Sequence, residues 1–563
     1  MINDRIFQIE EEVDKYLFNF IDGEIPRYKY IYHINLVYID YVIENKLWFS
    51  QMEKHLLFSL NYNIYLAYCK LEEEDVFSFN FDSELYLKCY RNLIIGMEYS
   101  MLCDVFQLIR SGKIKHTIDE KNRIVRLEYE SFPRDKHEFL TIYLMKKSLS
   151  YTLQTTAGML ENEEQEDAAS KLANGYLNFW NENLVGGDFE PYSMMEWGAV
   201  NYFFVLASMR RFVKLYRNDF NLDIVASNQV MVKITSANKI YDFLCDGTLP
   251  IDRTRLELVM NDLIYKPVGN ELFPKSSFAD APIIKTKDGI LFLNPIVLLS
   301  NVSNETMYLN NLRKTDTARY MRIKDKIKER IIPLIEALIK IKYPKAKFIM
   351  NFNLPIPNNK KQKRELDVLI IDEETGFVLY VEVKHFFLPV SFSEIKNVDI
   401  ELKKALKKMP DQLLAIKEGW GILQKNYGVI TQCRAIKGIV LSHSYLGKDV
   451  EIDEETPIVN VTNFFESLAE SNTIEELYLS NKSIDDIYNS LVMEQHEMKF
   501  SYAKYEFNYN SSIISPIYEQ KFLESYRKIV FNNIELDAKD MFTSLEEHAK
   551  AILDKMNQSN LKI

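Results

Sequence analysis

ELDVLIID (365–372), EETG (373–376) and FVLYVEVK (377–384) are the residues from which the fold of this chain can be read. Leu366, Val368, Leu369, Ile370 and Ile371 are apolar at odd and even positions alike, as are Val378, Leu379, Val381 and Val383. Strands apolar on both faces belong inside a sheet covered on both sides. EETG joins the two runs as a tight loop and predicts an antiparallel hairpin in which residue 372 meets residue 377. In that register Asp367 lies opposite Glu382, and Glu365 opposite Lys384. Side chains two apart share a face, so all four project together. Directly opposed Cβ atoms sit about 4.5–5.5 Å apart. A bulge would shift the register by one residue and separate the group.

Two carboxylates facing each other in a buried sheet repel, and loss of water raises the cost. A divalent cation removes both problems, and hard oxygen ligands suit Mg2+ or Mn2+. Asp367 and Glu382 are therefore the expected metal ligands. Lys384, two residues along the strand, is placed to orient a water or to neutralise charge developing on a phosphate. These are the parts of a metal-assisted phosphodiester hydrolysis. The alternative is a cross-strand salt-bridge cluster on a solvated edge.

The pattern Asp367-x14-Glu382-x-Lys384, with a helix before the strands and another after them, resembles the PD-(D/E)xK nucleases, whose fold is restriction-endonuclease-like. The resemblance covers residues 315–465 and implies an αβββαβ domain. It implies that Asp367 and Glu382 bind metal while Lys384 assists the attacking water. Leu366 stands where the pattern has Pro. The resemblance also points to an acid on the preceding helix, where Glu336 is preferred to Glu329, and to Gln412 on the following helix. Gln412 also reads as a plain surface residue. Glu365 is expected to pair with Lys384 before it would join the metal. His385 points to the opposite face from Lys384, and His443 reads as a core histidine at the end of a buried strand. DNA is favoured over RNA by the resemblance alone. A DNA endonuclease in restriction or anti-phage defence is the implied function. A catalytically silent nucleic-acid-binding module, or a helical scaffold subunit of a larger defence complex, stands as the alternative.

Working outward, TARYMRIKDKIKERIIPLIEALIKIKY (317–343) predicts a long basic helix with an apolar stripe of Ile327, Ile331, Leu334, Leu338 and Ile341 and, at Pro333, a kink or the start of a second helix. KFIMNFNL, KGIVLSH and PIVNVT predict further strands, and residues 399–425 a helix. NNKKQKR reads as a polar loop. Residues 1–280 are expected to be a mainly helical region for sensing or oligomerisation, through itself or a partner protein. In 281–314, Lys287-Asp288-Gly289 predicts a hairpin in a strand-containing connector. Residues 466–563 are expected to be helical. The whole is thus a multidomain α/β plus α chain.

The 563 residues carry a net charge of −12. That average hides a positive centre. Residues 301–450 hold +10, flanked by −11 on either side. Such asymmetry suits a localised polyanion site. Lys360, Lys361, Lys363 and Arg364 lead into the first strand, while Lys403, Lys404, Lys407 and Lys408 share one helical face. Phosphate contact is their functional reading and a solubilising face the bland one. The former would give affinity without sequence choice. Five cysteines without a C-x-x-C pair form neither a disulfide framework nor a zinc site. No apolar run approaches a membrane span and no secretory leader is evident, so a cytoplasmic protein is expected. No G-x-x-x-x-G-K-[ST] loop occurs, which argues against ATP-driven translocation.

Overall fold

The structure is a computed structural model. It describes residues 2–17, 24–45, 51–110, 114–129, 253–270, 274–299, 304–356, 359–384, 392–442, 455–489 and 493–514, with residue 21 and scattered positions between 191 and 240. It is mixed α/β, with three sheets among the described residues.

The first body is built on helices α1 (Ile2–Leu17), α2 (Arg27–Glu44), α3 (Gln51–Lys70) and α4 (Ser83–Arg110). From Tyr30 to Val42, α2 is buried on nearly every side, including His33, Asn35 and Asp40. A helix apolar all round must sit inside the bundle, and its few polar groups need partners there. Tyr30 donates to Asn63 at 2.7 Å, and Tyr86 donates to Asp40 at 2.6 Å. Among the described helices α4 alone is long and apolar enough to cross a membrane. Here its Leu93, Leu102 and Val105 lie in the core that α2 and α3 share.

Strands β1 (Ile114–Asp119) and β2 (Ile124–Tyr129) follow, then β3 (Val232–Ile234), α5 (Arg253–Leu263), β4 (Ile283–Lys285), β5 (Leu291–Leu293), α6 (Pro295–Leu299) and α7 (Asn304–Thr315). The Lys-Asp-Gly segment forms the expected hairpin, with β4 antiparallel to β5. Ile284, Phe292, Ile296 and Val297 from this stretch join the helical core.

The second body comprises α8 (Thr317–Lys342), β6 (Ala346–Ile356), β7 (Asn359–Asp372), β8 (Phe377–Lys384), α9 (Phe392–Glu418), α10 (Trp420–Tyr427), β9 (Ala435–Ser442), β10 (Ile458–Asn460), α11 (Val461–Glu470) and α12 (Ile474–Asn489). Its strands form one sheet in the order β10-β9-β8-β7-β6. The β6–β7 and β7–β8 pairs are antiparallel, and β8–β9 and β9–β10 are parallel. One face packs Tyr380, Leu369 and Val440 against Leu402, Leu406, Met409 and Ile416 of α9. The other packs Val381, Ile370 and Leu441 against Ile335 and Ile339 of α8 and Phe464, Leu477 and Tyr478 of α11 and α12. The strands are apolar on both faces because both faces are covered. At about 1.5–3 kcal/mol per fully buried aliphatic or aromatic side chain, this burial dominates the stability of the sheet.

Several expectations are corrected. From Asn359 onward the stretch read as a polar loop is strand, since β7 begins there and pairs with β6 as far as Ile356. The stripe of α8 is borne out at Ile331 and Leu338, joined by Ile332, Ile335 and Ile339, but not at Ile341, which is exposed; the side chains of Ile327 and Leu334 lie outside the described residues. Pro333 does not start a second helix, since α8 runs through it as one element. The second body extends to Asn489, because α11 and α12 complete its core.

The expected helical region 466–563 holds helix only to Asn489 among its described residues. It continues as strands β11 (Met493–Tyr502) and β12 (Tyr505–Ile514). Met498, Phe500 and Tyr502 alternate with polar residues, as do Tyr505, Phe507 and Tyr509. That period of two makes a hairpin and not a helix. Ala503, at φ +54°, takes the left-handed turn position. The hairpin joins the first body in the sheet order β1-β2-β12-β11.

Candidate active site at a strand fork

The β7–β8 ladder runs from Ile371↔Val378 to Val368↔Val381, which is the register expected from the loop. The loop sets it through Asp372. Its Oδ1 accepts from the Glu374 and Thr375 amides at 2.9 and 3.2 Å, and Gly376, at φ +73°, closes the turn. Beyond Val368 the strands part. β8 continues alongside β9 to Lys384↔Ser442, whereas β7 follows β6 to Leu366↔Phe352 and on. The parting coincides with a kink shared by β6 and β7. Asn351, at φ +47°, stands where a partner for Asp367 is due, between the pairs Met350↔Val368 and Phe352↔Leu366. Leu366 and Leu369 both reach the α9-side core across this kink, three residues apart instead of two.

Asp367 sits in the crotch of this fork. Its Oδ2 accepts from the Val383 amide at 2.8 Å, an N–H beyond the last β7–β8 pair. Glu382 is 7% exposed, on the α9 side of β8. Its Oε1 accepts from Lys384 Nζ at 2.6 Å. Its Oε2 accepts from the Tyr380 hydroxyl and, at 2.9 Å, from Gln412 Nε2. Gln412 Nε2 also reaches Tyr380 Oη at 3.0 Å. Burial pushes the Glu382 carboxyl up. The Lys384 charge and the hydrogen bonds from Lys384, Tyr380 and Gln412 more than offset it, and the group ends below the ordinary carboxylate range. Burial, and then the adjacent Glu382 charge, hold the Tyr380 hydroxyl far above the usual phenol range. The phenol therefore stays a donor to an ionised carboxylate.

Thus the structure brings together Asp367, Glu382, Lys384 and Gln412. Gln412 is no surface residue: it is 3% exposed. Lys384 pairs with Glu382 and not with Glu365, because β7 has already left β8. Glu365 lies exposed opposite Asn353 of β6. Glu336 is not brought to the cluster. It pairs with Lys340 one turn along α8, which packs on the other face of the sheet. Tyr380 was missed by sequence reasoning, although period-two alternation places it on the Glu382 face. His385 and His443, and the side chains of Glu329, Lys360 and Lys361, lie outside the described residues.

No protein-family model, no characterised protein and no solved structure matches the chain.

The basic residues fall into two sets around the fork. Arg364 reaches from β7 to Asp411 of α9, with Nη2 3.6 Å from the carboxylate, while its Nη1 is buried with no hydrogen-bond partner among the described residues. Lys363, Lys407 and Lys408 are exposed and Lys403 is half-buried. Lys404 bonds Glu401 at 2.7 Å. The Glu401 carboxyl is held below its ordinary range first by that hydrogen bond, and also by the charges of Lys404, Lys384 and Lys408. The α9 row and Lys384 therefore share one electrostatic neighbourhood.

The donor set suits a hard divalent cation. Two carboxylates flank the fork, and beside them Gln412 Oε1 is buried without a hydrogen-bond partner among the described residues. Among the described residues no group of three or more His, Cys, Asp or Glu side chains converges. Two protein carboxylates, with water and phosphate oxygens completing the shell, is the way Mg2+ is commonly held.

Proposed function

We propose that the chain is a metal-dependent nuclease of the PD-(D/E)xK type, hydrolysing phosphodiester bonds in DNA in preference to RNA, within restriction or anti-phage defence. One observation carries the reading: a buried carboxylate, kept ionised, stands beside a second carboxylate and a lysine where two strands of a covered sheet separate. A fold needs no such group for stability, since apolar residues of similar volume would serve as well or better. The order of α8, three antiparallel strands, α9 and a parallel β9 agrees with a restriction-endonuclease-like domain. The defence role and the DNA preference come from analogy.

Asp367 and Glu382 would hold Mg2+ or Mn2+. Bound there, the cation supplies Lewis acidity at a phosphate oxygen. The chain does the rest. The Val383 amide fixes the Asp367 carboxylate, and Tyr380 and Gln412 fix that of Glu382. The Lys384 ammonium orients a water or balances charge on the phosphate. Arg364 and the α9 lysines hold the backbone of the nucleic acid.

The test is cleavage of linear, circular and single-stranded DNA, and of RNA, by the purified full-length protein with Mg2+ or Mn2+. Asp367→Ala and Lys384→Ala serve as references. Cutting by the wild type that both variants lose is expected; if the wild type cuts nothing that they spare, the enzyme reading fails. A second reading, a catalytically silent nucleic-acid-binding module, is favoured by the protein donors on both Glu382 oxygens. It predicts salt-sensitive DNA binding without cleavage.

A further inference from the structure

The two oxygens of Glu382 are not equivalent. Oε2 is held by two donors that are themselves buried: the Tyr380 ring is fully enclosed and Gln412 is 3% exposed. Tyr380 lies on the same strand and Gln412 on a helix packed against it, so neither donor can leave without disturbing the core. Among the described residues Oε1 is held by Lys384 alone, whose side chain is 29% exposed and carries its ammonium on a flexible four-carbon stem. Among the groups seen around Glu382, only the lysine can move aside cheaply.

Resting on the metal-dependent reading above, we propose that Tyr380 is a positioning residue and Lys384 a gate. Tyr380, with Gln412, turns Glu382 so that Oε1 is the one oxygen open to a cation, and Lys384 occupies that oxygen until the cation displaces it. Cation binding then does two things at once. It fills the carboxylate pair, and it releases the ammonium toward the open side of the fork, where a phosphate would lie. Lysine and cation compete for one atom. Removing the lysine should therefore strengthen cation binding even as it abolishes cleavage.

The test is calorimetric titration of the full-length protein with MnCl2 alone, without nucleic acid. Lys384→Met is expected to bind Mn2+ about fivefold more tightly, the order of one partly exposed ion pair. Tyr380→Phe, which keeps the ring and the packing, is expected to bind about tenfold more weakly, as for the loss of a hydrogen bond supporting a metal ligand. Lys417→Met, an exposed charge removed elsewhere on α9, should bind as the wild type does. Lys384→Gln replaces Lys384→Met if the latter does not fold. A second readout follows the displacement itself. Acylation of Lys384 by an amine-reactive reagent, read by mass spectrometry in the wild type, should rise when Mn2+ is added.

If Lys384→Met binds no more tightly, if Tyr380→Phe binds no more weakly, or if Mn2+ binds without exposing Lys384 to acylation, the gate is overturned while the nuclease reading stands. If the wild type binds no Mn2+, or Asp367→Asn and Glu382→Gln bind it as well as the wild type, both fall together.

Discussion

Replacing Tyr380 by Phe removes one oxygen from the protein and leaves the ring in its place. Its consequence for stability can be worked from the hydrogen bonds around Glu382. The hydroxyl donates to an ionised carboxylate that is 7% exposed. Hydrogen bonds to charged groups contribute about 1.5–3 kcal/mol. Gln412 still donates to the same oxygen and Lys384 to the other, so the lower half of that range applies, about 1.5–2 kcal/mol at neutral pH.

The loss must depend on pH. Glu382 in the folded protein lies below the ordinary carboxylate range, with Tyr380 among the groups that hold it there. A carboxyl depressed by folding contributes stability that is present above its unfolded value, about 4.3, and fades as pH falls through the folded value. The penalty of Tyr380→Phe should therefore be full at pH 7 and shrink below about pH 4.5. Urea unfolding from pH 7 to about pH 2.5, below the folded value, followed by hydrogen exchange at the β8 amides, isolates this sheet from the rest of the chain. A penalty that stays constant across that range would mean the hydroxyl matters only as packing, and would refute the charge-based account.

Three further perturbations have defined outcomes. Gly376→Ala forces a Cβ into a left-handed conformation and to 2.4 Å from the Gln432 carbonyl oxygen, whereas Gly289→Ala meets nothing within 4 Å; chemical denaturation should show losses of about 3 kcal/mol or more and about 1 kcal/mol respectively, and equal losses would contradict the geometry. Arg319 is buried against Asp262 at 2.9 Å, donates to Tyr308 at 2.8 Å and stacks on Tyr192; because Tyr192 still donates to Asp262 and Lys266 lies 4.0 Å from it, Arg319→Met should cost about 1.5–3 kcal/mol through the lost charged hydrogen bonds, and a thermal midpoint within a degree of wild type would refute that. Lys407→Ala with Lys408→Ala should weaken DNA binding equally for all sequences and lower the slope of log affinity on log salt by about 2, measured by fluorescence anisotropy. An unchanged slope would remove the α9 row from the interface.

The hairpin was legible because its information is local. Loop length sets the register, and apolar residues at both parities require two covering layers. The pairing of Glu365 with Lys384 failed because the fork is not local. It depends on Asn351, fourteen positions before Glu365, taking a left-handed conformation opposite Asp367. Gln412 could be placed on a helix from sequence, but its burial depends on Met409 packing against Gly438, where even a methyl group would meet the sulfur. Glu336 was misplaced because its helix, α8, covers the sheet face away from the cluster. Ile332 and Ile335 face the sheet, and that face is opposite the one carrying Glu382. The β11–β12 hairpin was missed for a different reason. Its alternating Tyr and Phe residues were readable, but their apolar partners lie in α4 and β2, hundreds of residues earlier.

That last pairing bears on how the chain is made. Glu506 of β12 lies beside Ile124 of β2, so the edge of the first body is sealed by a strand about 380 residues downstream. At about 5–20 residues per second, a ribosome needs roughly 20–80 s to supply it. For that time β2 offers unpaired backbone to whatever strand it meets. The second body is meanwhile synthesised in full, with every strand of its sheet lying between Ala346 and Asn460. The segment emitted first would thus be among the last to be finished, and a nascent chain stalled before β12 would carry a completed candidate active site on an unclosed base.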